Sequence, residues 1–171
     1  MTKAGIEAII RALNNAGVRY LAVGGIAVNA YGHRRFTADI DLALAMASEN
    51  LEKAVRALES LNYRPLVPVR LHDLVDESKR REWIETKHAV VLNLIGPRAD
   101  DPRVDIMLQP PFHFDEEWER SEVDQSTGQD TCVRIVSLPT LIAMKTGTGR
   151  AKDLDDLEQL RRIQCMRETY E

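Results

Sequence analysis

Asp39 and Asp41 flank Ile40 in the segment Asp39-Ile40-Asp41-Leu42, and a glycine pair, Gly24-Gly25, ends the apolar run Leu21-Ala22-Val23 upstream. On a strand, side chains alternate between faces, so both carboxylates share one face while Ile40 and Leu42 take the other. Two carboxylates a few ångströms apart repel each other unless they are solvated, one is protonated, or a hard cation lies between them. A glycine pair at a strand-to-helix turn lets backbone N–H groups come close to a phosphate. A third acid, Asp105, sits in Arg103-Val104-Asp105-Ile106-Met107, again among apolar residues. If that strand lies beside the first, three carboxylates converge. Such a set can hold two Mg²⁺ ions, one on a triphosphate and one lowering the pKa of an acceptor hydroxyl. This is equipment for phosphoryl or nucleotidyl transfer. The alternative is a solvated strand face with Asp105 at the surface. A lone Asp-x-Asp favours that alternative, but the added glycine pair and the later strand aspartate make a much rarer coincidence.

The elements that must position these groups follow from periodicity. Ile6, Ile9, Ile10 and Leu13 recur at helical spacing, and Asn14-Asn15-Ala16-Gly17 ends that helix. A strand is expected over Val18 to Val23, a short helix over Ile26 to Tyr31, and a second strand over Ile40 to Leu44. Ser48 is positioned to cap an amphipathic helix carrying Leu51, Val55, Leu58 and Leu61. Pro65 and Pro68 confine any strand between Tyr63 and Val69 to a short or edge one. The charge-rich stretch 70–82 reads as helical. Strands follow at Ala89 to Ile95, Val104 to Leu108 and Thr131 to Val136. Ser137-Leu138-Pro139 opens a helix through Met144, and a last helix spans Lys152 to Cys165. The expected class is α/β or α+β, a mixed sheet flanked by helices.

The 171 residues suit a single domain spanning 1–171, and 44% hydrophobic with 29% charged residues is an ordinary globular composition. No apolar run approaches the ~20 residues that span a bilayer, and the start MTKAGIEAII lacks the pattern of a signal peptide. Cys132 and Cys165 form no CxxC pair, which fits reduced thiols in a cytoplasmic protein. The net charge of −4 disfavours a protein that coats nucleic acid, without excluding a local basic groove. His33, His72, His88 and His113 form no HxH or HExxH pair, so zinc is not expected; His33 reads as an exposed loop residue. Gly147-Thr148-Gly149-Arg150 follows a helix rather than a strand and reads as a connection, not a P-loop. Lys79-Arg80-Arg81 reads as a solvated helix face, with an RNA groove as the minority alternative.

The pattern apolar-Gly-Gly, short helix, Asp-apolar-Asp-apolar and later strand aspartate resembles the DNA polymerase β-like nucleotidyltransferase superfamily. The fuller GGIAVNAYGHRRFTADIDL is similar to small bacterial nucleotidyltransferases of the abortive-infection toxin type (AbiEii-like), and to small enzymes that modify lincosamides or aminoglycosides. SLPTLIAMKTGTGRAKDLDDLEQL resembles the toxin-type C-terminal signature, a lysine helix followed by Arg-x-Lys-Asp-x-x-Asp; residues 63–100 carry little of the likeness. Many superfamily members have Gly-Ser where this chain has Gly24-Gly25, so the backbone must do more here. The resemblance implies the polymerase β-like fold and Mg²⁺ or Mn²⁺ as cofactor. It implies Asp39, Asp41 and Asp105 as metal ligands and catalytic residues, with Asp105 as base or orienting group. Gly24 and Gly25 would cradle the β- and γ-phosphates. Arg35 and Thr37, just before the aspartate pair, could meet phosphate oxygens. A solvated loop arginine and a turn-capping threonine are the alternatives.

Lys145 falls on an otherwise apolar helix face, where burial is costly unless it meets an anion. The resemblance points to triphosphate contact, and snorkelling to water is the alternative. Asp153 and Asp156 fit the start of the last helix or an ion pair with Lys145 or Arg150, and with Lys152 they read as a supporting group. The implied activity is Mg²⁺-dependent transfer of a nucleoside monophosphate from a nucleoside triphosphate to a hydroxyl, releasing pyrophosphate. The acceptor could be RNA, notably tRNA, a protein side chain or a small molecule such as an antibiotic. A homodimer or an antitoxin partner could complete the acceptor site, and no membrane partner is expected. The rival readings are a non-catalytic nucleotide-binding or toxin–antitoxin interaction module, and a metallohydrolase, which would normally add histidine ligands.

Overall fold

Alternation on three neighbouring strands sets the architecture. In the computed structural model, which describes residues 3–125, 131–148 and 151–170, β2 (Asp39–Leu44) buries Ile40 and Leu42 and leaves Asp39 and Asp41 half-buried. β5 (Arg103–Met107) buries Val104 and Ile106, and β4 (Val91–Ile95) buries Leu92 and Leu94. Each fully buried aliphatic side chain contributes about 1.5–3 kcal/mol. That apolar face fixes the register, because a one-residue slip would turn every carboxylate inward.

Among the described residues, β1 (Tyr20–Ala22), β3 (Arg64–Pro65), β6 (Glu122–Asp124) and β7 (Val133–Ile135) complete a seven-stranded sheet of order β3-β4-β5-β2-β1-β7-β6. β2 pairs in parallel with β5 and antiparallel with β1, and β1 pairs in parallel with β7. The sheet is therefore mixed, as expected. β3 is a two-residue edge strand, in keeping with its prolines. The other edge, β6, pairs antiparallel with β7.

Seven α-helices flank the sheet among the described residues. α1 (Lys3–Asn15) and α3 (Ser48–Ser60) pack against each other, and their Ile9, Ile10, Leu13, Leu51 and Leu58 enter the main core. α2 (Gly24–Ala30) begins immediately beyond β1. Asn50 holds the sheet end to α3: its Oδ1 accepts from Arg19 N at 2.7 Å, and its Nδ2 donates to Arg19 O and Ala45 O.

Several expected boundaries shift. α3 starts at Ser48 itself, with Ala47 in the cap position and no side-chain cap. The stretch 70–82, read as helical, is a 3₁₀ turn, Leu71–Val75, followed by α4 (Glu77–Lys87). Asp76 breaks the two apart, because its carboxylate accepts from Ser78 N and Lys79 N and so starts α4. α5 (Phe114–Arg120) was not expected at all. Its Phe114 and Trp118 rings stack at 5.8 Å, and Arg19 and Arg134 lie over Trp118 at 4.9 and 4.4 Å. Its buried Glu117 accepts from Ser137 N and Thr140 Oγ1, which anchors the start of α6 (Leu138–Thr146). α7 (Ala151–Tyr170) packs on α6 and extends beyond the helix expected there.

Candidate active site

Strand register puts the acids together. Asp41 faces Asp105 directly across the β2–β5 pair, and Asn93 faces Asp105 from β4. Asn93 Nδ2 donates to Asp105 Oδ1 at 2.8 Å. Asp39 lies two residues before Asp41 on the same face. Asp41 is pushed up to about 6, first by burial, then by the charges of Asp105 and Asp39; a Gly25 N–H bond and nearby Lys145 oppose the rise. Burial also raises Asp105, helped by Asp39 and opposed by the Asn93 hydrogen bond and by Arg103. Carboxylates that resist ionisation next to one another are hard oxygen donors of the kind that bind Mg²⁺ or Mn²⁺, so these residues fit such an ion.

The glycine pair has a packing reason as well. Gly24 has φ +57°, and a Cβ there would lie 2.0 Å from Asp41 Oδ2. A Cβ on Gly25 would meet Thr37 Oγ1 at 2.4 Å. Glycine therefore lets α2 start against the carboxylate of Asp41, and Val23 N donates to Asp41 O at 2.9 Å. Thr37 is buried and its Oγ1 donates to Asp39 O, so its hydroxyl braces the entry to β2, the alternative role foreseen for it. Asn29 of α2 closes the intervening loop: its side chain accepts from Arg35 N and donates to Arg35 O.

Arg35 and Lys145 reach the same wall already paired. Arg35 Nε and Nη2 donate to the two oxygens of Asp156 at 2.7 and 2.9 Å. Lys145 Nζ lies 2.7 Å from Asp156 Oδ2 and 2.9 Å from Asp153 Oδ1. Thr148 Oγ1 donates to Asp153 Oδ2 at 2.6 Å. The Asp156 side chain is 0% exposed. Burial alone would raise its pKa, but the bonds from Arg35 and Lys145 outweigh that and hold it below the usual carboxylate range. The ion pair foreseen between Lys145 and Asp153 or Asp156 is present with both; Gly149 and Arg150 lie outside the described residues. His33 is not the exposed loop residue expected. It is half-buried, with Nε2 3.1 Å from Asp155 Oδ2 and 3.7 Å from Asp156 Oδ1. Ligand atoms of His33, Asp155 and Asp156 lie within 4.8 Å of one another, but both oxygens of Asp156 already accept from cations, which disfavours a metal there.

A cleft of about 510 Å³ opens between the strand acids, the glycine turn and the Lys145–Asp153 pair. Gly24, Gly25, Arg35, Thr37, Asp39, Asp41, Asp105 and Lys145, the residues singled out from sequence, all line it. Thr148, Lys152 and Asp153 join them, and Val90, Met107 and Met144 give it an apolar side. Asn93 and Asn29 escaped the sequence reading. An asparagine alternating with leucines in Val91-Leu92-Asn93-Leu94 is a visible signal of a polar strand face, but its partner depends on register.

Solved structures share the architecture. The adenylyltransferase LnuA, in its lincomycin-bound crystal structure, superposes with a TM-score of 0.64 at 16% identity, over 95% of this chain and 98% of its own. ANT(2'')-Ia, in complex with adenylyl-2''-tobramycin, gives a TM-score of 0.57 at 15% identity, over 99% and 98%. A search of curated protein sequences found no match. A family model, nucleotidyl transferase AbiEii toxin of the type IV toxin–antitoxin system, matches residues 23–169. Fold and family together define a nucleotidyltransferase of the polymerase β-like fold. The chain belongs to the AbiEii nucleotidyltransferase toxin family.

Proposed function

We propose that the protein transfers a nucleoside monophosphate from a nucleoside triphosphate to a hydroxyl group and releases pyrophosphate. The observation that carries this reading is the convergence of Asp39, Asp41 and Asp105 on one sheet face, beside the positive-φ Gly24, in a single cleft. Asp39, Asp41 and Asp105 would hold Mg²⁺ or Mn²⁺, which supplies charge neutralisation at the triphosphate and a lowered pKa for the acceptor hydroxyl. The chain's own groups do the rest. Gly24 and Gly25 present backbone without Cβ atoms to the β- and γ-phosphates, and Arg35, Thr37 and Lys145 shape the wall beside them. Asn93 occupies Asp105 Oδ1 and so fixes the plane of that carboxylate. Its other oxygen takes the proton of the acceptor hydroxyl. The acceptor oxygen bonds to the α-phosphorus as the bond to the pyrophosphate oxygen breaks, and the leaving group carries away the electron pair. No covalent enzyme intermediate is needed; positioning and charge neutralisation supply the rate.

The acceptor classes are RNA, notably tRNA, a protein side chain or a small molecule. The family's place in type IV toxin–antitoxin systems makes a cognate antitoxin the partner to seek, in a cytoplasmic setting, alongside a homodimer that would complete the acceptor site. The deciding experiment is incubation with each labelled nucleoside triphosphate, Mg²⁺ and cell extract. Label should enter one molecular class with wild-type protein and not with Asp41→Asn. Absence of any labelled product across all four nucleotides and both metals would leave a binding module as the better reading.

A further inference from the structure

Among the described residues, three cationic side chains line the cleft: Arg35, Lys145 and Lys152. Two of them are committed elsewhere. Arg35 gives Nε and Nη2 to Asp156 and Nη1 to Phe36 O. Lys145, only 6% exposed, lies between Asp153 and Asp156. Two cations and two carboxylates in that cluster cancel, so it presents little net charge to a polyanion. Drawing Lys145 or Arg35 toward a phosphate would break charge-assisted bonds to the fully buried Asp156, which is unfavourable. Lys152 differs from both. It is exposed at the start of α7, lines the cleft, and has no hydrogen bond or ion pair among the described residues. A solvated ammonium gives up little when it meets a phosphate oxygen, and gains a charge-assisted hydrogen bond.

Resting on the nucleotidyltransferase reading above, we infer that Lys152 is the side chain that binds the polyphosphate tail in this cleft. Arg35 and Lys145 act with Asp153 and Asp156 as the scaffold of the wall. Polyphosphate recognition thus falls to the first turn of α7, next to the Asp153 that Thr148 and Lys145 hold in place.

Inorganic tripolyphosphate with Mg²⁺, titrated calorimetrically into the full chain, tests this without knowing base or acceptor. Wild-type protein should bind it. Lys152→Gln should weaken binding about tenfold or more and flatten its salt dependence, with an unchanged melting temperature, and Lys152→Arg should restore most of the affinity. Lys145→Met should instead lower the melting temperature by several degrees, because it removes the cation that Asp153 and Asp156 share in a buried place. If Lys152→Gln binds within twofold of wild type while wild type binds well, the inference falls and the nucleotidyltransferase reading stands. If Lys145→Met keeps its melting temperature and loses binding while Lys152→Gln does not, the two lysines have the opposite roles and the inference is overturned. If wild type fails to bind tripolyphosphate with either Mg²⁺ or Mn²⁺, the phosphate site itself is misplaced and both readings fall.

Discussion

At the scale of single residues, the three strand aspartates do different work. Asp105→Asn should nearly abolish transfer while keeping much of the affinity for metal and triphosphate, because asparagine retains shape and an acceptor oxygen but cannot take a proton. Asp41→Asn should damage both. Titrations and single-turnover rates on the two variants separate these outcomes, and a near-wild-type rate for Asp105→Asn would make Asp105 structural. Asn93 acts through Asp105. Its hydrogen bond holds the Asp105 pKa down, so Asn93→Ala should move the acid limb of the rate profile to higher pH and lower kcat more than it raises KM. An unmoved limb would reduce Asn93 to a packing residue. Asp41 also carries a stability signature. Its folded pKa of about 6 lies above the unfolded value of about 3.9. Its contribution is therefore fully present below the unfolded value and is lost as pH rises through 6. Asp105 is shifted in the same direction. Without divalent cations, the protein should lose stability at this site between pH 4 and pH 7. Asp41→Asn should flatten that slope in urea melts, and Mg²⁺ should offset it. Asp156 works the other way. Its pKa is depressed, so its contribution is lost only as pH falls below the ordinary carboxylate range.

At the scale of elements, what sequence revealed depended on whether the determining contact was local. Alternation in Asp39-Ile40-Asp41-Leu42 is a property of a single strand, and it placed Asp39 and Asp41 on one face; Asp105 joins them only because β5 pairs with β2, which the sequence offered as a condition. Register is not local. Nothing in the chain order says that Asn93 stands opposite Asp105, and so that partner was missed. α5 was missed for a related reason. Its Phe114 and Trp118 at i, i+4 and its acids in the first turn were visible, but a seven-residue helix owes its stability to packing, here to Arg19, Arg134 and the Glu117 contacts with α6. In the helical stretch 70–82, charge density hides an internal cap such as Asp76, so the division into a 3₁₀ turn and α4 was not legible. At the glycine turn, the close approach of Asp41 leaves no room for Cβ. Gly24→Ala should therefore destabilise the domain as well as the site, visible as a lower melting temperature even without ligand. A variant as stable as wild type would mean the turn can relax around a methyl group.

At the scale of the whole molecule, the cleft is the place where distant parts of the chain meet. β2, β5, the loop after α2, the end of α6 and the start of α7 all reach it. A ligand spanning those walls should stabilise the fold more than either of its components. The nucleoside triphosphate with Mg²⁺ should raise the melting temperature further than metal or nucleotide alone; an equal shift without metal would count against the acidic site. Removing one member of the buried charge cluster should show how far the wall depends on it. Asp156→Ala leaves Arg35 and Lys145 facing each other without that carboxylate, at a cost of about 3–5 kcal/mol in urea unfolding. A loss below about 1 kcal/mol, the range of exposed pairs, would mean that water replaces the carboxylate.

The bond between Arg35 and Asp156 joins positions 121 residues apart. Losing Asp156 strands Arg35 beside Lys145, and losing Arg35 leaves the buried Asp156 to Lys145 alone. Among descendants of a common ancestor, these two positions should therefore be inherited as a unit, kept together or replaced together. A lineage that swaps their charges would set the new cation at 156 against Lys145, so the exchange should be found only where position 145 has changed as well.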